Sequence, residues 1–310
     1  MRETFSTLLV QAAQKNKNIV LLTGDHGYAL FDAFRKECPE QYINCGVAEQ
    51  NMVGVAAGLA KAGFFPIVYG LSAFVPMRVV EQIKIDLCYE SLPALLVGDG
   101  AGVVYSHLGS SHQSTEDIAT LRALPNINIA SPADKFELPY CFDALLACNK
   151  TGYLRFGKAD RGDVHTSIPQ APVGNILNLS KSTRGIAIIA TGSMVSAAQK
   201  VAATLGNVAV WSAPFLSPFN AEQLQAIGKA HPIIFTLEEH SIHGGLGGLV
   251  SEIISETASS RVFRLGINNQ FSLLCGDYDY TLDYHGLSIE KITDTVQTIL
   301  SQTHNPKVTL

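Results

Sequence analysis

Short, continuous apolar segments alternate with amphipathic segments along most of this chain of 310 residues. The apolar segments read, in chain order, NIVLLTG, FFPIVYG, LPALLVG, NINIAS, GIAIIATG, NVAVWSA, PIIFTLEEH and RVFRLG. A strand that is buried on both faces has this continuous apolar pattern, and the amphipathic segments between the strands are typical of covering helices. The sequence therefore predicts an α/β fold with two domains, each rich in parallel sheet.

A segment rich in Pro, Gly, Ser and Asn separates the first four apolar runs from the last four. This composition is typical of connecting chain rather than of helices or strands. We therefore expect a first domain over residues 1–165, a linker over 166–182 and a second domain over 183–310.

The charge and the cysteine content exclude several classes of protein. The net charge is −5, from 22 Lys and Arg against 27 Asp and Glu, whereas a nucleic-acid-binding surface is normally basic. The six cysteines include no C-x-x-C pair, which argues against zinc ribbons and thioredoxin motifs and favours buried thiols in a reducing compartment. No apolar run approaches the roughly 18 residues of a membrane span, and the first residues lack a signal-peptide pattern. We expect a cytoplasmic protein that binds neither nucleic acid nor membranes.

The loops after the predicted strands are the places where chemistry is expected, because ligands bind beyond the carboxyl ends of parallel strands. The most informative segment is GVAEQNM, residues 46–52, in which Glu49 stands at the start of a strongly apolar helix. Such a carboxylate can simply stabilise the helix N-terminus through the helix dipole. It can also be a buried acid that binds a ligand, and a short motif alone does not decide between the two.

The segment AEQN and its surroundings resemble the pyrimidine-binding domain of transketolases, and the resemblance extends over nearly the whole chain. It implies thiamine diphosphate as the cofactor, with Glu49 as a catalytic acid that hydrogen-bonds the aminopyrimidine ring. In the segment YGLSAFVPMR, Phe74 matches the aromatic residue that stacks on this ring. Leu71 occupies a position where another aromatic residue is common, and Asp25 matches a loop aspartate on the thiazolium side of the cofactor.

The same resemblance implies residues that act on the substrate. His112, in SHQSTED, matches a histidine that transfers protons in transketolases, a task that suits an imidazole near neutral pH. Arg2 and Arg155 match arginines that bind the phosphate of a sugar, because a guanidinium makes paired charged hydrogen bonds with such a group. We add His26, next to the loop aspartate, to the substrate-binding residues, and we expect an anionic sugar as substrate.

Two positions depart from the family pattern. Leu108 stands where transketolases usually have an aspartate that reads a donor hydroxyl, and Ala29 replaces a serine that helps to bind phosphate. The identity of the donor and acceptor therefore stays open. The second domain resembles the family's C-terminal domain, which mainly supports dimerisation, and we interpret its Glu239 and His240 as structural.

A complete transketolase has a further domain that holds the diphosphate through a divalent ion, and nothing of that kind precedes Arg2. The motif GDG at 98–100, followed by Asn126, has a spacing that such a metal site permits. However, Asp99 would then lie in the same sheet as Glu49, and one domain cannot easily present both ends of an extended cofactor. We therefore expect no metal site in this chain and expect the Mg²⁺ ligands on a separate partner subunit.

The sequence thus predicts the C-terminal-half subunit of a split transketolase, an enzyme that transfers a two-carbon ketol unit from a ketose to an aldehyde. Two copies would form a homodimer core within a heterotetramer whose other subunits carry the diphosphate domain. Three alternatives stay open: the β subunit of a 2-oxo acid dehydrogenase decarboxylase, a relative of deoxyxylulose-phosphate synthase, and a degenerate subunit without catalytic activity.

Overall fold

The computed structural model describes residues 1–157, 161–257 and 260–303, and these residues form two sheets covered by helices. The strands are β1 (Ile19–Thr23), β2 (Tyr42–Asn44), β3 (Phe65–Leu71), β4 (Ala94–Asp99), β5 (Ile127–Ala130), β6 (Thr151–Phe156), β7 (Leu177–Ser180), β8 (Ile186–Ala190), β9 (Ala209–Ser212), β10 (Phe215–Ser217), β11 (Ile233–Ser241) and β12 (Arg261–Ile267).

The helices are α1 (Arg2–Lys15), α2 (Asp32–Glu37), α3 (Glu49–Lys61), α4 (Val80–Gln82), α5 (Asp117–Arg122), α6 (Glu137–Ala147), α7 (Met194–Leu205), α8 (Ala221–Ala230), α9 (Leu246–Thr257), α10 (Tyr278–Tyr284) and α11 (Ile289–Thr303). A π-helical segment continues α4 over Ile83–Cys88. Short 3₁₀ turns span Ala29–Phe31, Pro39–Gln41, Met77–Val79, Ser106–Leu108 and Ser110–His112.

The first sheet has the strand order β10-β5-β6-β4-β3-β1-β2, and all its strands are parallel except β10. Helices cover both faces: α1 and α6 pack on one, and α3 and α5 pack on the other. Every residue of β1, β4 and β6 is buried. This burial explains the continuous apolar pattern of β1 and β4, whereas β6 also buries Thr151 and Arg155.

The second sheet has the order β12-β11-β8-β9-β7, with β7 antiparallel to β9. Strand β7 lies inside the expected linker, so residues 177–180 are an edge strand of the second sheet rather than connecting chain. Strand β10 lies inside the expected second domain but pairs with β5 of the first sheet, through Phe215 and Ala130. The structure therefore differs from the expected division at two places: β7 joins the second sheet, and β10 joins the first. Each of these short strands is placed by the strand with which it forms hydrogen bonds, and its own composition does not identify that partner.

One hydrophobic core runs continuously between the two sheets. It contains Val68 and Leu96 of the first sheet together with Ile189 and Ile234 of the second. Separate cores fill the outer face of each sheet. The predicted α/β fold with two units rich in parallel strands is confirmed.

Within the described residues, no helix combines the length and the hydrophobicity that crossing a bilayer requires. The end of the expected second domain, residues 304–310, lies outside the described residues.

Candidate active site

The loops after β1, β3 and β4 meet at one edge of the first sheet, because these strands are parallel neighbours. Strand β1 leads to Asp25 and His26, β3 leads to Phe74, and β4 leads to the longer loop that carries His112. Helix α3 begins at the same edge with Glu49. The structure therefore brings these five predicted site residues to one edge of the sheet.

Glu49 is a buried acid, with 2 % of its surface exposed, at the first position of α3. Its Oε2 accepts a hydrogen bond of 2.9 Å from Nη1 of Arg78. Its Oε1 is also buried and accepts no hydrogen bond from any residue that the structure describes. Because an unpaired buried carboxylate oxygen is costly, we interpret Oε1 as an acceptor that is open to a ligand.

The half-buried ring of Phe74 lies at the centre of the site. The guanidinium carbon of Arg78 lies 4.0 Å from the centroid of this ring. The imidazole of His26 stacks on it at a centroid distance of 6.0 Å, and that of His112 meets it edge-on at 5.3 Å. The Nε2 atom of His26 is buried and has no hydrogen-bond partner among the described residues, so it too is open to a ligand.

Leu71 and Asp25 lie at the border of this arrangement. Leu71 is the half-buried last residue of β3. Asp25 has a left-handed backbone conformation with φ of 65°, and its Oδ1 accepts a hydrogen bond of 3.2 Å from Asn44. Left-handed residues other than glycine are uncommon and occur preferentially at functional loops. The roles assigned to Leu71 and Asp25 stay predictions.

A fixed cation lies at the same edge of the sheet. Nε of Arg2 lies 3.3 Å from Oδ2 of Asp99, and the buried Asp99 also accepts a hydrogen bond of 2.6 Å from the hydroxyl of Tyr69. Burial tends to lower the pKa of Arg2, but Asp99 and Tyr69 outweigh it, so this pKa is raised and the charge is retained. The side chain of Arg2 is 33 % exposed, which leaves it accessible to an anion.

Arg155, in contrast, is not brought to this site. It is 3 % exposed, and its Nε donates to Oδ2 of Asp117 at 2.7 Å, while Nη2 donates to the backbone oxygens of Ser114 and Glu239. Side chains alternate along a strand, so Arg155 shares a face of β6 with Tyr153, whose hydroxyl donates to the same Asp117 oxygen. Arg155 therefore forms a buried ion pair within the first domain rather than the expected substrate contact, and its hydrogen bond to the backbone oxygen of Glu239 links this pair to the second domain.

The residues with metal-site spacing lie far apart in the sheet. Asp99 is the last residue of β4, whereas Asn126 comes just before the first residue of β5. Both strands run parallel to β6, so Asp99 lies at the carboxyl ends of the strands and Asn126 at their amino ends. The amide of Asn126 donates to the backbone oxygen of Cys88 at 3.2 Å. Within residues 1–157, 161–257 and 260–303, no group of three or more acidic, histidine or cysteine side chains could hold a metal ion.

The site fits the aminopyrimidine end of thiamine diphosphate. The open Oε1 of Glu49 can accept a hydrogen bond from a ring nitrogen, and Phe74 offers an aromatic ring for stacking. Sequence analysis missed Arg78, which contacts both groups. Two signals in the sequence could have indicated Arg78. It lies four residues after Phe74, and a buried carboxylate such as that of Glu49 requires a nearby cation.

Comparisons with known protein families agree with this geometry. Residues 1–161 match the pyrimidine binding domain of transketolase, and residues 176–292 match the transketolase C-terminal domain. The second match begins just before β7, which places that strand with the second domain.

Similar proteins include subunits of divided transketolases. One of the subunits of the apulose-4-phosphate transketolase of Phocaeicola vulgatus is 32% identical over 95% of this chain and 95% of its own length. A putative transketolase C-terminal section from Methanocaldococcus jannaschii is 32% identical over 96% of this chain and 95% of its own length. A solved split gene transketolase, described as an inactive beta4 tetramer, is 30% identical with a TM-score of 0.89 and covers 97% of this chain and 98% of its own. The resemblance predicted from the AEQN segment is thus confirmed, and this chain belongs to the transketolase family, of which it carries the pyrimidine-binding and C-terminal domains.

Proposed function

We propose that this chain is the C-terminal-half subunit of a split transketolase that transfers a two-carbon ketol unit from a ketose to an aldehyde with thiamine diphosphate. The observation that carries the proposal is the buried Glu49, whose Oε1 lacks a partner among the described residues. Arg78 links Glu49 to the ring of Phe74, which His112 meets edge-on. The cofactor, when bound, supplies the carbanion chemistry, and the protein binds, orients and moves protons.

Each side chain of the site has a task that its position supports. Glu49 holds the proton of the aminopyrimidine nitrogen, and the ring of Phe74 together with Leu71 packs against the heterocycle. His112 lies edge-on to Phe74 at 5.3 Å and exchanges protons with the oxygen atoms of the substrate. Asp25 borders the thiazolium side of the cofactor.

Two further groups serve the substrate. Arg2, which is 33 % exposed and fixed by Asp99, binds the anionic end of the sugar. His26 presents its buried Nε2 to a substrate hydroxyl. The relative from P. vulgatus is named as a transketolase of apulose-4-phosphate, a sugar phosphate, which supports an anionic substrate for the present chain. Leu108 and Ala29 offer no polar group to a sugar hydroxyl or phosphate, so the donor need not be an ordinary pentose phosphate.

The surroundings of the site support a covering partner chain. Tyr28, Val47 and Leu108 lie in three loops at this edge and are 63%, 73% and 44% exposed. Exposed apolar side chains around a polar site are typical of protein interfaces. We assign this surface to a partner subunit that carries the diphosphate domain and the Mg²⁺ ligands, with two copies of each chain in a heterotetramer. The inactive beta4 tetramer formed by a split-gene relative is consistent with the need for that partner.

The cysteines support a cytoplasmic location. All six lie within the described residues, and all six are free thiols, as expected in a reducing compartment. Carbohydrate metabolism in the cytoplasm is therefore the proposed setting of the reaction.

The central experiment compares two buried glutamates. Glu49→Ala and Glu137→Ala each remove a buried acid from the first position of a helix, α3 or α6. With the partner, thiamine diphosphate and Mg²⁺, we expect Glu49→Ala to lose ketol transfer by at least about 10³-fold while assembly persists, and Glu137→Ala to remain active. Full activity of the Glu49 variant would contradict the mechanism. Activity with pyruvate but not with any ketose phosphate would favour the 2-oxo acid dehydrogenase alternative.

A further inference from the structure

The loop that carries His112 is closed at its base by a short bridge between its two ends. Residues 100–114 follow β4, and Gly102 and Ser114 exchange two backbone hydrogen bonds, of 3.0 and 2.8 Å. His112 therefore lies only two residues from a point where the backbone is fixed. What holds this base determines where the imidazole can lie.

The base of the loop rests on a carboxylate of the second domain. Glu239 of β11 is 3 % exposed, and its Oε1 accepts a hydrogen bond of 2.7 Å from the backbone N–H of Val103. Its Oε2 accepts hydrogen bonds from the hydroxyls of Tyr278, at 2.6 Å, and Ser193. One carboxylate oxygen thus binds the loop, and the hydrogen bonds to the other oxygen fix the orientation of the carboxylate.

The backbone approaches this carboxylate so closely that only glycine fits beside it. A Cβ atom on Gly102 would lie 2.3 Å from Oε1 of Glu239, and Gly102 has a left-handed φ of 69°. The next residue, Val103, is fully buried, and its side chain belongs to the hydrophobic core of the second domain together with Ile188 and Leu237. The loop therefore leaves the first domain and inserts into the second.

A second contact holds the tip of the loop. Ser110 donates a hydrogen bond of 3.1 Å to the backbone oxygen of Ser272, and Ser272 donates one of 2.7 Å to Oε1 of Gln113. Nε2 of His285 lies 2.7 Å from the same Ser272 hydroxyl. His112 thus lies between two attachments, and both are made by the second domain.

We propose that Glu239 is a positioning residue for ketol transfer: it fixes the base of loop 100–114 and thereby directs His112 toward Phe74. This inference rests on the proposed function, in which His112 moves protons. It gives the second domain a part in the active site beyond dimerisation. Glu239 itself contacts neither substrate nor cofactor and acts through the loop.

Hydrogen exchange of the full chain tests the placement without any need for activity. Glu239→Ala leaves the buried N–H of Val103 without its acceptor, so we expect exchange across residues 100–114 to accelerate about tenfold or more. The matched control is Glu238→Ala, since Glu238 is equally buried in the same strand but accepts from the N–H groups of Leu246 and Gly247 at the start of α9. That variant should accelerate exchange at α9 and leave the loop unchanged. Unchanged loop exchange in Glu239→Ala would refute the proposal.

Kinetics of the complex with its partner test the consequence. We expect Glu239→Ala to lower kcat about 10- to 100-fold with little change in the KM for thiamine diphosphate. Glu239→Gln keeps an acceptor for the N–H of Val103, and its kcat should stay within about threefold of that of the parent.

In a His112→Ala background, adding Glu239→Ala should lower kcat by no more than about twofold, because the residue through which Glu239 acts is gone. Losses that multiply would refute a role through His112. If the unmodified complex transferred no ketol unit, the proposed function would fail, whereas the exchange experiment would still decide what Glu239 positions.

Discussion

Arg78 makes both contacts that the resemblance to transketolases assigns to the aminopyrimidine ring. Its guanidinium donates a hydrogen bond of 2.9 Å to Glu49 and lies 4.0 Å from the centroid of Phe74. Oε1 of Glu49 is open to the cofactor already, but the face of the Phe74 ring that Arg78 covers becomes free only when the guanidinium is displaced, which also breaks its bond to Oε2. We therefore predict that Arg78→Ala tightens the binding of thiamine diphosphate to the assembled complex.

The exposure of the arginine sets the size of this effect. The side chain of Arg78 is 40% exposed, so its ion pair with Glu49 contributes about 0.2–1 kcal/mol. The cation–π contact with Phe74 contributes about 0.5–1 kcal/mol at such a site. Displacement then costs about 1–2 kcal/mol, which corresponds to about 5- to 30-fold in the dissociation constant. The free energy of unfolding of the free chain should fall by a similar amount, because the buried Oε2 of Glu49 loses its hydrogen bond.

Titration calorimetry of the complex with thiamine diphosphate and Mg²⁺, at low and high salt, measures the effect. The gain in affinity should shrink at high salt, because the ion pair is partly screened. Arg35→Ala is the matched control, since Arg35 is 39% exposed, pairs with Asp32 and lies 5.8 Å from the ring centroid of Tyr42. Its affinity should stay within about twofold. Weaker binding in Arg78→Ala would refute the reasoning and indicate that Arg78 contacts the cofactor. Unchanged binding would also refute it and indicate that Arg78 has no effect on cofactor affinity.

The remaining predictions concern two buried charges. Arg155→Met should lower the free energy of unfolding by about 3–5 kcal/mol, because Asp117 becomes an unpaired buried charge, and adding Asp117→Asn should recover part of the loss in urea unfolding. A raised KM for sugar phosphates without loss of stability would instead restore a substrate role for Arg155. Burial tends to raise the pKa of Asp134, but hydrogen bonds from the side chain of His165 and from nearby backbone N–H groups hold this pKa at about 2, below its ordinary 3.8. Asp134 therefore contributes about 2 kcal/mol of stability above about pH 4. This contribution is lost as the pH falls toward 2, and unfolding of Asp134→Asn should lack that part of the pH dependence.

Continuous burial of apolar residues explains why β1 and β4 are predicted correctly. In β1 and β4 every residue is buried, so the apolar run and the strand nearly coincide. In β7 burial alternates over four residues, and β10 has only three residues. Such short segments owe their structure to distant pairing partners, β9 and β5, and local sequence contains no signal for a partner that far along the chain.

The site could be anticipated in part because parallel strands bring their following loops to one edge. That rule groups Asp25, Phe74 and His112 without any knowledge of side-chain contacts. It does not predict which face of β6 the side chain of Arg155 occupies. Both faces of a central parallel strand are buried, so the sequence has no alternation between polar and apolar residues that would assign a face. The structure decides it through Asp117, which accepts hydrogen bonds from both Tyr153 and Arg155.

The same contacts give a physical reason for where a divided transketolase can be cut. The pyrimidine-binding and C-terminal domains share one continuous hydrophobic core, the hydrogen bond from the buried Arg155 to the backbone oxygen of Glu239, and the hydrogen bond from the backbone N–H of Val103 to the Glu239 carboxylate. Separating them would expose that core and release the loop that carries His112. A cut before the pyrimidine-binding domain disturbs none of these contacts, because all of them lie within the present chain. The two domains therefore fold as a single unit on one polypeptide, which is compatible with the proposed supply of the diphosphate domain by a second chain.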